Sequence, residues 1–157
     1  MTPTTGPTVR PITAADEAQW RPLFRGYREF YRLEPDEAVI DRVWSWLLDP
    51  EHEVRGIGVE HDGELVGIGH YRRFARPSTG TVGIWLDDLF TKPDARGAGA
   101  ARALLEAVRS IAAEEGCSIV RGITAEDNHR AQALYDQLGT RTNWVVYDGA
   151  PAAPRAE

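Results

Sequence analysis

The sequence predicts an α/β fold, a mixed sheet with helices on both faces in the order β-α-α-β-β-β-α-β-α-β. Three observations predict it. Apolar residues recur at helical spacing in four separate stretches. Short runs rich in β-branched and aromatic residues lie between them, bounded by Gly, Pro and Asp. Two of those runs are joined by His61-Asp62-Gly63, a strong hairpin signal.

The elements follow in order. Met1 to Gly6 reads as a loose tail, and Thr8 to Ile12 as a short strand. Thr13 is a helix N-cap with Asp16 three residues on as its capping partner. The helix that follows contains Pro22, which marks a kink or restart. Leu23, Phe24, Tyr27, Phe30 and Tyr31 then share a helical face, and Glu34-Pro35-Asp36 breaks it. A second helix, Asp36 to Leu48, ends at Asp49-Pro50. Val54 to Glu60 and Leu65 to Phe74 flank the hairpin turn, and a polar loop with Pro77 and Gly80 leads to a strand over Thr81 to Thr91. After Pro93-Asp94 the spacing of Leu104, Leu105, Val108, Ile111 and Ala112 predicts a helix to Glu115, stopped by Gly116. Ser118 to Ile123 is a strand, Asn128 to Leu138 a helix ended by Gly139, and Asn143 to Tyr147 a last strand. Residues 150–157 read as a second loose tail.

At 157 residues, 42% hydrophobic and 27% charged, the chain has the size and composition of one globular domain. Its net charge of -6 argues against nucleic acid as the main partner, because phosphate binding needs a basic face. The same balance favours a cationic or neutral substrate. Cys117 is the single cysteine, so neither an internal disulfide nor a cysteine metal cluster is expected, and no metal is. No apolar run is long enough to span a membrane, and no signal pattern opens the chain; a cytoplasmic protein without a membrane partner is expected.

The chemistry concentrates in Leu86-Asp87-Asp88-Leu89-Phe90-Thr91, followed by Lys92-Pro93-Asp94-Ala95-Arg96-Gly97-Ala98-Gly99-Ala100-Ala101. This is a strand, a turn, then a helix opened by small residues. A helix N-terminus offers unpaired N–H groups and the positive end of its dipole. Gly97, Gly99, Ala100 and Ala101 let a phosphate approach the backbone, and Arg96 adds a charged contact. Helix packing alone also accounts for small residues. A dinucleotide site is disfavoured because Arg102 stands where its fingerprint needs Gly or Ala, and the Gly-Lys-Ser/Thr of a triphosphatase loop is absent.

Arg96-x-x-Gly99-x-Ala101 resembles the Arg/Gln-x-x-Gly-x-Gly/Ala signature of the GNAT N-acetyltransferase superfamily. Asn128-His129-Arg130-Ala131-Gln132-Ala133-Leu134-Tyr135 resembles that family's Asn-x-x-Ala-x-x-Leu-Tyr helix, and the spacing between the two segments fits. The wording around Asn128 is most similar to a branch acting on polyamines, basic proteins or small amino compounds. Thr91 departs from the family's usual apolar residue, and Ala101 takes its less frequent Ala option; neither removes a backbone donor.

The resemblance implies a mostly antiparallel sheet whose fourth strand is bulged and splays from the fifth. It also implies acetyl-coenzyme A as co-substrate. The pantetheine arm would lie along Leu89, Phe90 and Thr91, and the pyrophosphate on Arg96, Gly97, Ala98, Gly99, Ala100 and Ala101. Asn128 would serve as helix cap and cofactor contact. Transfer to an amine needs a base for the ammonium proton and a donor for the departing thiolate. Tyr135 fits the donor, because a phenol of pKa about 10 stays protonated beside a thiol of about 8.5; packing on its helix is the alternative. Asp87 is the first choice of base. Strand alternation puts it on the face of Leu89 and Thr91, with Asp88 opposite in a structural hydrogen bond; a structural role for Asp87 is equally open. His70 and Glu126 are weaker bases. Tyr27, Tyr31 and Glu34 suit a cation while Arg72, in the arginine-bearing Arg72 to Arg76 loop, suits a carboxylate, so the acceptor's charge stays open. The apolar Trp144 to Tyr147 run at the sheet's end predicts a homodimer. A non-catalytic acyl-coenzyme A sensor is the alternative reading.

Overall fold

In the computed structural model, which describes residues 6–97 and 99–156, the chain forms two compact units that divide between Ile123 and Thr124. The expected tail at Met1 to Gly6 falls, apart from exposed Gly6, outside the described residues, as do Ala98 and Glu157.

The first unit is built on a sheet. Its elements are β1 (Thr8–Pro11), a 3-10 turn (Ala14–Asp16), α1 (Glu17–Phe30), α2 (Glu37–Leu48), β2 (Arg55–His61), β3 (Glu64–Arg76), β4 (Thr81–Thr91), α3 (Ala100–Glu114) and β5 (Val120–Gly122). The strands lie in chain order, β1-β2-β3-β4-β5. All neighbours are antiparallel except β4 and β5. The second unit contains α4 (His129–Leu138).

The local chemistry explains most of these boundaries. Asp16 reaches back to accept the Thr13 N–H at 2.7 Å, closing the expected cap. The break before α1 falls there rather than at Pro22, which α1 runs through. Asp36 caps α2 by accepting from Ala38 and Val39. Asp62 and Gly63 both have positive φ, 53° and 78°, the backbone a tight two-residue hairpin needs. The helix expected from Pro93 begins instead at Ala100, because Gly97 and Gly99 hold φ of 90° and 84°, outside the right-handed helical region.

Trp20, Leu23 and Phe24 of α1 and Ile40 and Trp44 of α2 close one core with Ile12, Leu65 and Ile68. A Cβ on Gly56 or Gly58 would strike Leu47, Leu65 or Ile12, so those positions face this core. Ile57 and Val59 alternate to the other face, where α3 runs along β1 to β4 and buries Leu104, Leu105, Val108 and Ala112. Helices therefore cover both faces, as expected.

The expected last strand does not form. Asn143 to Tyr147 carries no strand geometry, and Trp144, Val145, Val146 and Tyr147 are 78%, 74%, 63% and 88% exposed. A strand is stabilised by its ladder, and none pairs with this segment among the described residues. No helix among them is long and apolar enough to cross a membrane.

Candidate active site

The site begins with an irregularity in β4. His70 pairs with Asp88 and Tyr71 with Leu86, so Asp87 is the extra residue of a β-bulge. A bulge interrupts the two-residue alternation of side chains. Asp87 and Asp88 therefore line the same cleft, of about 430 Å³, together with His70 and Arg72 of β3. Val43 and Trp46 of α2 and the following His52, Glu53 and Val54 complete its lining. This corrects the expectation that Asp87 shares a face with Leu89 and Thr91 while Asp88 points away.

The two carboxylates have different surroundings. Asp87 is paired with Arg72, whose Nε lies 3.1 Å from its Oδ2. Burial raises the Asp87 carboxyl above its ordinary value, and Arg72 only partly offsets this. Burial also pushes Asp88 up, but its contact with the His70 ring, and to a lesser degree the nearby Tyr27 phenol, outweighs it and leaves Asp88 below its ordinary value. His70, 1% exposed, has Nδ1 2.7 Å from Asp88 Oδ2. Its Nε2 accepts the indole N–H of Trp20 at 3.1 Å, which assigns the imidazole proton to Nδ1.

Beyond the bulge, no strand pairs with the outer edge of β4 among the described residues of the first unit. The ladder of β4 with β5 covers Ile84, Trp85 and Leu86 only. The Lys92 N–H donates to Val66 O at 2.8 Å, so alternation turns the peptide groups of Leu89 and Thr91 away from β3, toward that edge. Downstream, a Cβ on Gly97 or Gly99 would meet nothing within 4 Å, leaving the loop backbone open ahead of α3. The Arg96 guanidinium lies over the Phe30 ring at 5.7 Å.

A family model described as the Acetyltransferase (GNAT) family matches residues 18–140. The chain belongs to the GNAT acetyltransferase family. It is 29% identical over 141 residues to a D-amino-acid N-acetyltransferase of Saccharomyces cerevisiae, covering 88% of each chain. It is 31% identical over 156 residues to an aminoglycoside N(6′)-acetyltransferase of Stenotrophomonas maltophilia, covering 96% of this chain and 97% of that one. Among solved structures, a probable acetyltransferase matches the fold with a TM-score of 0.81 at 22% identity, over 94% of this chain and 99% of that one. An aminoglycoside N-acetyltransferase solved with coenzyme A matches with a TM-score of 0.78 at 19% identity, over 97% of this chain and all of that one. The protein is thus an acetyl-coenzyme A-dependent N-acetyltransferase of an amine.

The acetyltransferase's own residues fit the cofactor. The open edge at Leu89 and Thr91 suits an added strand-like chain, and the uncovered Gly97 and Gly99 precede the N–H groups of Ala100 and Ala101 at the start of α3. Phe90 alternates with the open-edge residues, and its C=O lies beside Gly67 on β3. Ala98 lies outside the described residues. In the second unit, Asn128 caps α4 by accepting from Ala131 at 3.2 Å, and half-buried Tyr135 sits in the same helix. Glu126 is exposed there.

Of the four expected acceptor contacts, Arg72 lines the cleft. Tyr27 of α1 stacks on Phe24 at 6.0 Å, meets Tyr31 at a tilt at 4.9 Å, and stands near Asp88. Tyr31 and exposed Glu34 are not part of the lining. Sequence reasoning missed Trp46, His52 and Glu53. Trp46 and His52 stack at 4.8 Å with planes 9° apart, a flat wall beside the carboxylates. Trp46 falls inside the expected second helix, Asp36 to Leu48, with no motif that marks it.

Proposed function

We propose that the protein transfers the acetyl group of acetyl-coenzyme A directly to a primary amine, that of a small molecule, a polyamine or a lysine side chain, without a covalent enzyme intermediate. One observation carries this reading: the β4 bulge brings the carboxylate of Asp87 into a cleft on the same strand whose next residues leave their peptide edge open. A base for the amine and a track for the acyl carrier thus belong to one strand.

The co-substrate, when bound, supplies a thioester whose acyl carbon accepts the amine's lone pair. The main chain of Leu89 and Thr91 holds the carrier arm, with Phe90 between them. Arg96, Gly97, Ala98, Gly99, Ala100 and Ala101 hold the pyrophosphate, and Asn128 adds a contact. Asp87 takes a proton from the acceptor ammonium, directly or through water. The amine nitrogen then bonds to the acyl carbon as the carbon–sulfur bond breaks; Tyr135 donates its phenolic proton to the leaving sulfur, and the surplus proton of the acylated nitrogen leaves through water to restore the phenol. Asp87, Asp88 and Glu53 outnumber Arg72 in the cleft, which supports a positively charged acceptor. The family match runs from 18 to 140 across the division after Ile123, which supports one catalytic domain for the whole chain. The exposed Trp144 to Tyr147 run supports a homodimer through this segment, and a cytoplasmic setting goes with a free cysteine.

The test is release of free thiol from acetyl-coenzyme A across polyamines, amino acids, aminoglycosides and lysine peptides, beside thermal scanning. The expected result is thermal stabilisation by acetyl-coenzyme A and amine-dependent thiol release. Stabilisation with no thiol release for any amine identifies a sensor and overturns the catalytic reading.

A further inference from the structure

Asp88 lies at the end of a buried chain of donors that the acetyl transfer described above does not use. Trp20 of α1 donates to Nε2 of His70, and His70 donates from Nδ1 to Asp88 Oδ2. Tyr27, one helical turn beyond Phe24, stands near the same carboxylate and helps keep it ionised. Trp20 is 0% and His70 1% exposed, and Phe24 packs edge-on against the imidazole at 5.2 Å. An apolar residue at position 70 would fill this core without the cost of burying a polar ring. The chain ends at the carboxylate that faces the cleft.

The neighbouring carboxylate is held differently. Among the described residues Asp87 has one hydrogen-bond partner, the partly exposed Arg72. Around the pair stand Tyr27 from α1, His70 and Arg72 from β3, and His52 and Glu53 from the segment after α2. A carboxylate that already accepts a buried donor is a poor proton acceptor and a good fixed charge. A carboxylate with raised proton affinity is the reverse, and environments that push two acids apart assign them different work.

We propose that Asp88 is the docking charge for the acceptor's cationic group and that His70 is a positioning residue acting through it, which leaves proton removal to Asp87. This deepens the function proposed above and rests on it, since it assigns to Asp88 the binding half of the same site. The acceptor class it names is a cation that Asp88 holds by charge.

The test separates binding from turnover. Binding of 1,5-diaminopentane is measured by titration calorimetry on the full chain saturated with coenzyme A. Wild type should bind in the millimolar range, and Asp88→Asn should weaken binding by about tenfold or more. His70→Leu should do the same, and the double variant should be no worse than either single one, because both act through one group. His70→Asn keeps an amide N–H near the position of Nδ1 and should restore affinity to within about threefold of wild type. Asp87→Asn should weaken binding clearly less than Asp88→Asn does, whatever it does to the rate. No binding by wild type up to about 10 mM, an Asp88→Asn variant that binds normally, or a His70→Asn variant no better than His70→Leu overturns the proposal. If His70→Leu does not fold, Asp88→Asn decides alone. A normal turnover rate in Asp87→Asn, with binding lost in Asp88→Asn, overturns the Asp87 base and leaves the docking charge standing.

Discussion

Two adjacent aspartates have different surroundings because one bulge takes them out of strand periodicity and their neighbours differ. The raised proton affinity of Asp87 has consequences of both kinds, in rate and in stability. As a base, Asp87 works when ionised, so the rate should fall as pH drops through a value above the ordinary 3.8 of the carboxyl. Asp87→Asn should lose that limb, and its activity should recover as pH rises toward the amine's own pKa. Tyr135→Phe should lower turnover by about 10²–10⁴-fold with no such recovery, the worth of a positioned acid. Paired pH–rate profiles check both, and near-normal turnover in Tyr135→Phe returns the tyrosine to packing. For stability the sign reverses. A carboxyl whose folded pKa is raised costs stability above its unfolded pKa, so Asp87→Asn should melt no lower than wild type at pH 7. A melting temperature well below wild type would mean that the Arg72 ion pair outweighs the burial cost.

At the scale of elements, close approach sets the sheet. A Cβ on Gly67 of β3 would lie 2.8 Å from Val59 Cγ1 and 3.0 Å from the Phe90 carbonyl oxygen. Backbone cannot move aside as a side chain can, so Gly67→Ala should cost about 1–3 kcal/mol, read from the denaturant midpoint. An unchanged midpoint would show that β3 and β4 separate more easily than their pairing implies. The start of α3 makes a functional counterpart. Gly99→Asp places a carboxylate where phosphate is expected, so it should abolish stabilisation by acetyl-coenzyme A in thermal scanning while the protein remains folded. A retained shift would move the pyrophosphate away from this loop.

For the whole molecule, one ion cluster joins distant pieces of the first unit. Arg10 of β1 bonds Asp16 at 2.7 and 2.8 Å and Glu60 of β2 at 2.8 Å. Those hydrogen bonds, from Arg10 first, hold buried Asp16 at about 2. A lowered carboxyl stabilises the fold above its unfolded pKa and loses that contribution as pH falls through about 2. Asp16→Asn should therefore cost about 2 kcal/mol at pH 7, with the difference from wild type closing below pH 4. A pH-independent difference in urea unfolding would assign the effect to lost packing. Assembly is the other whole-molecule question. Four exposed apolar residues from Trp144 to Tyr147 leave a segment that a second copy can cover. Sedimentation at micromolar concentration should show a dimer, and a lone 17.4 kDa species would refute it.

The sequence by itself determined the parts whose causes are local. Caps at Thr13 and Asn128, the Asp62-Gly63 turn and the spacing of apolar residues placed three of the helices and all five strands within a few residues, and the body of α3. The Arg96 to Ala101 segment and the helix after Asn128 carried the family, because both are contiguous. The tertiary structure alone decided what depends on two strands at once. The bulge at Asp87 arises from the register of β4 against β3, which no single strand's alternation contains, and it moved Asp87 into the cleft beside Asp88. His70 met Trp20 across 50 residues of chain, and Glu53 and His52 reached the cleft from a segment with no motif of its own. The unformed strand at Asn143 has the same origin. Its residues have the composition of a strand, but strand geometry needs a partner's hydrogen bonds, and composition does not supply them.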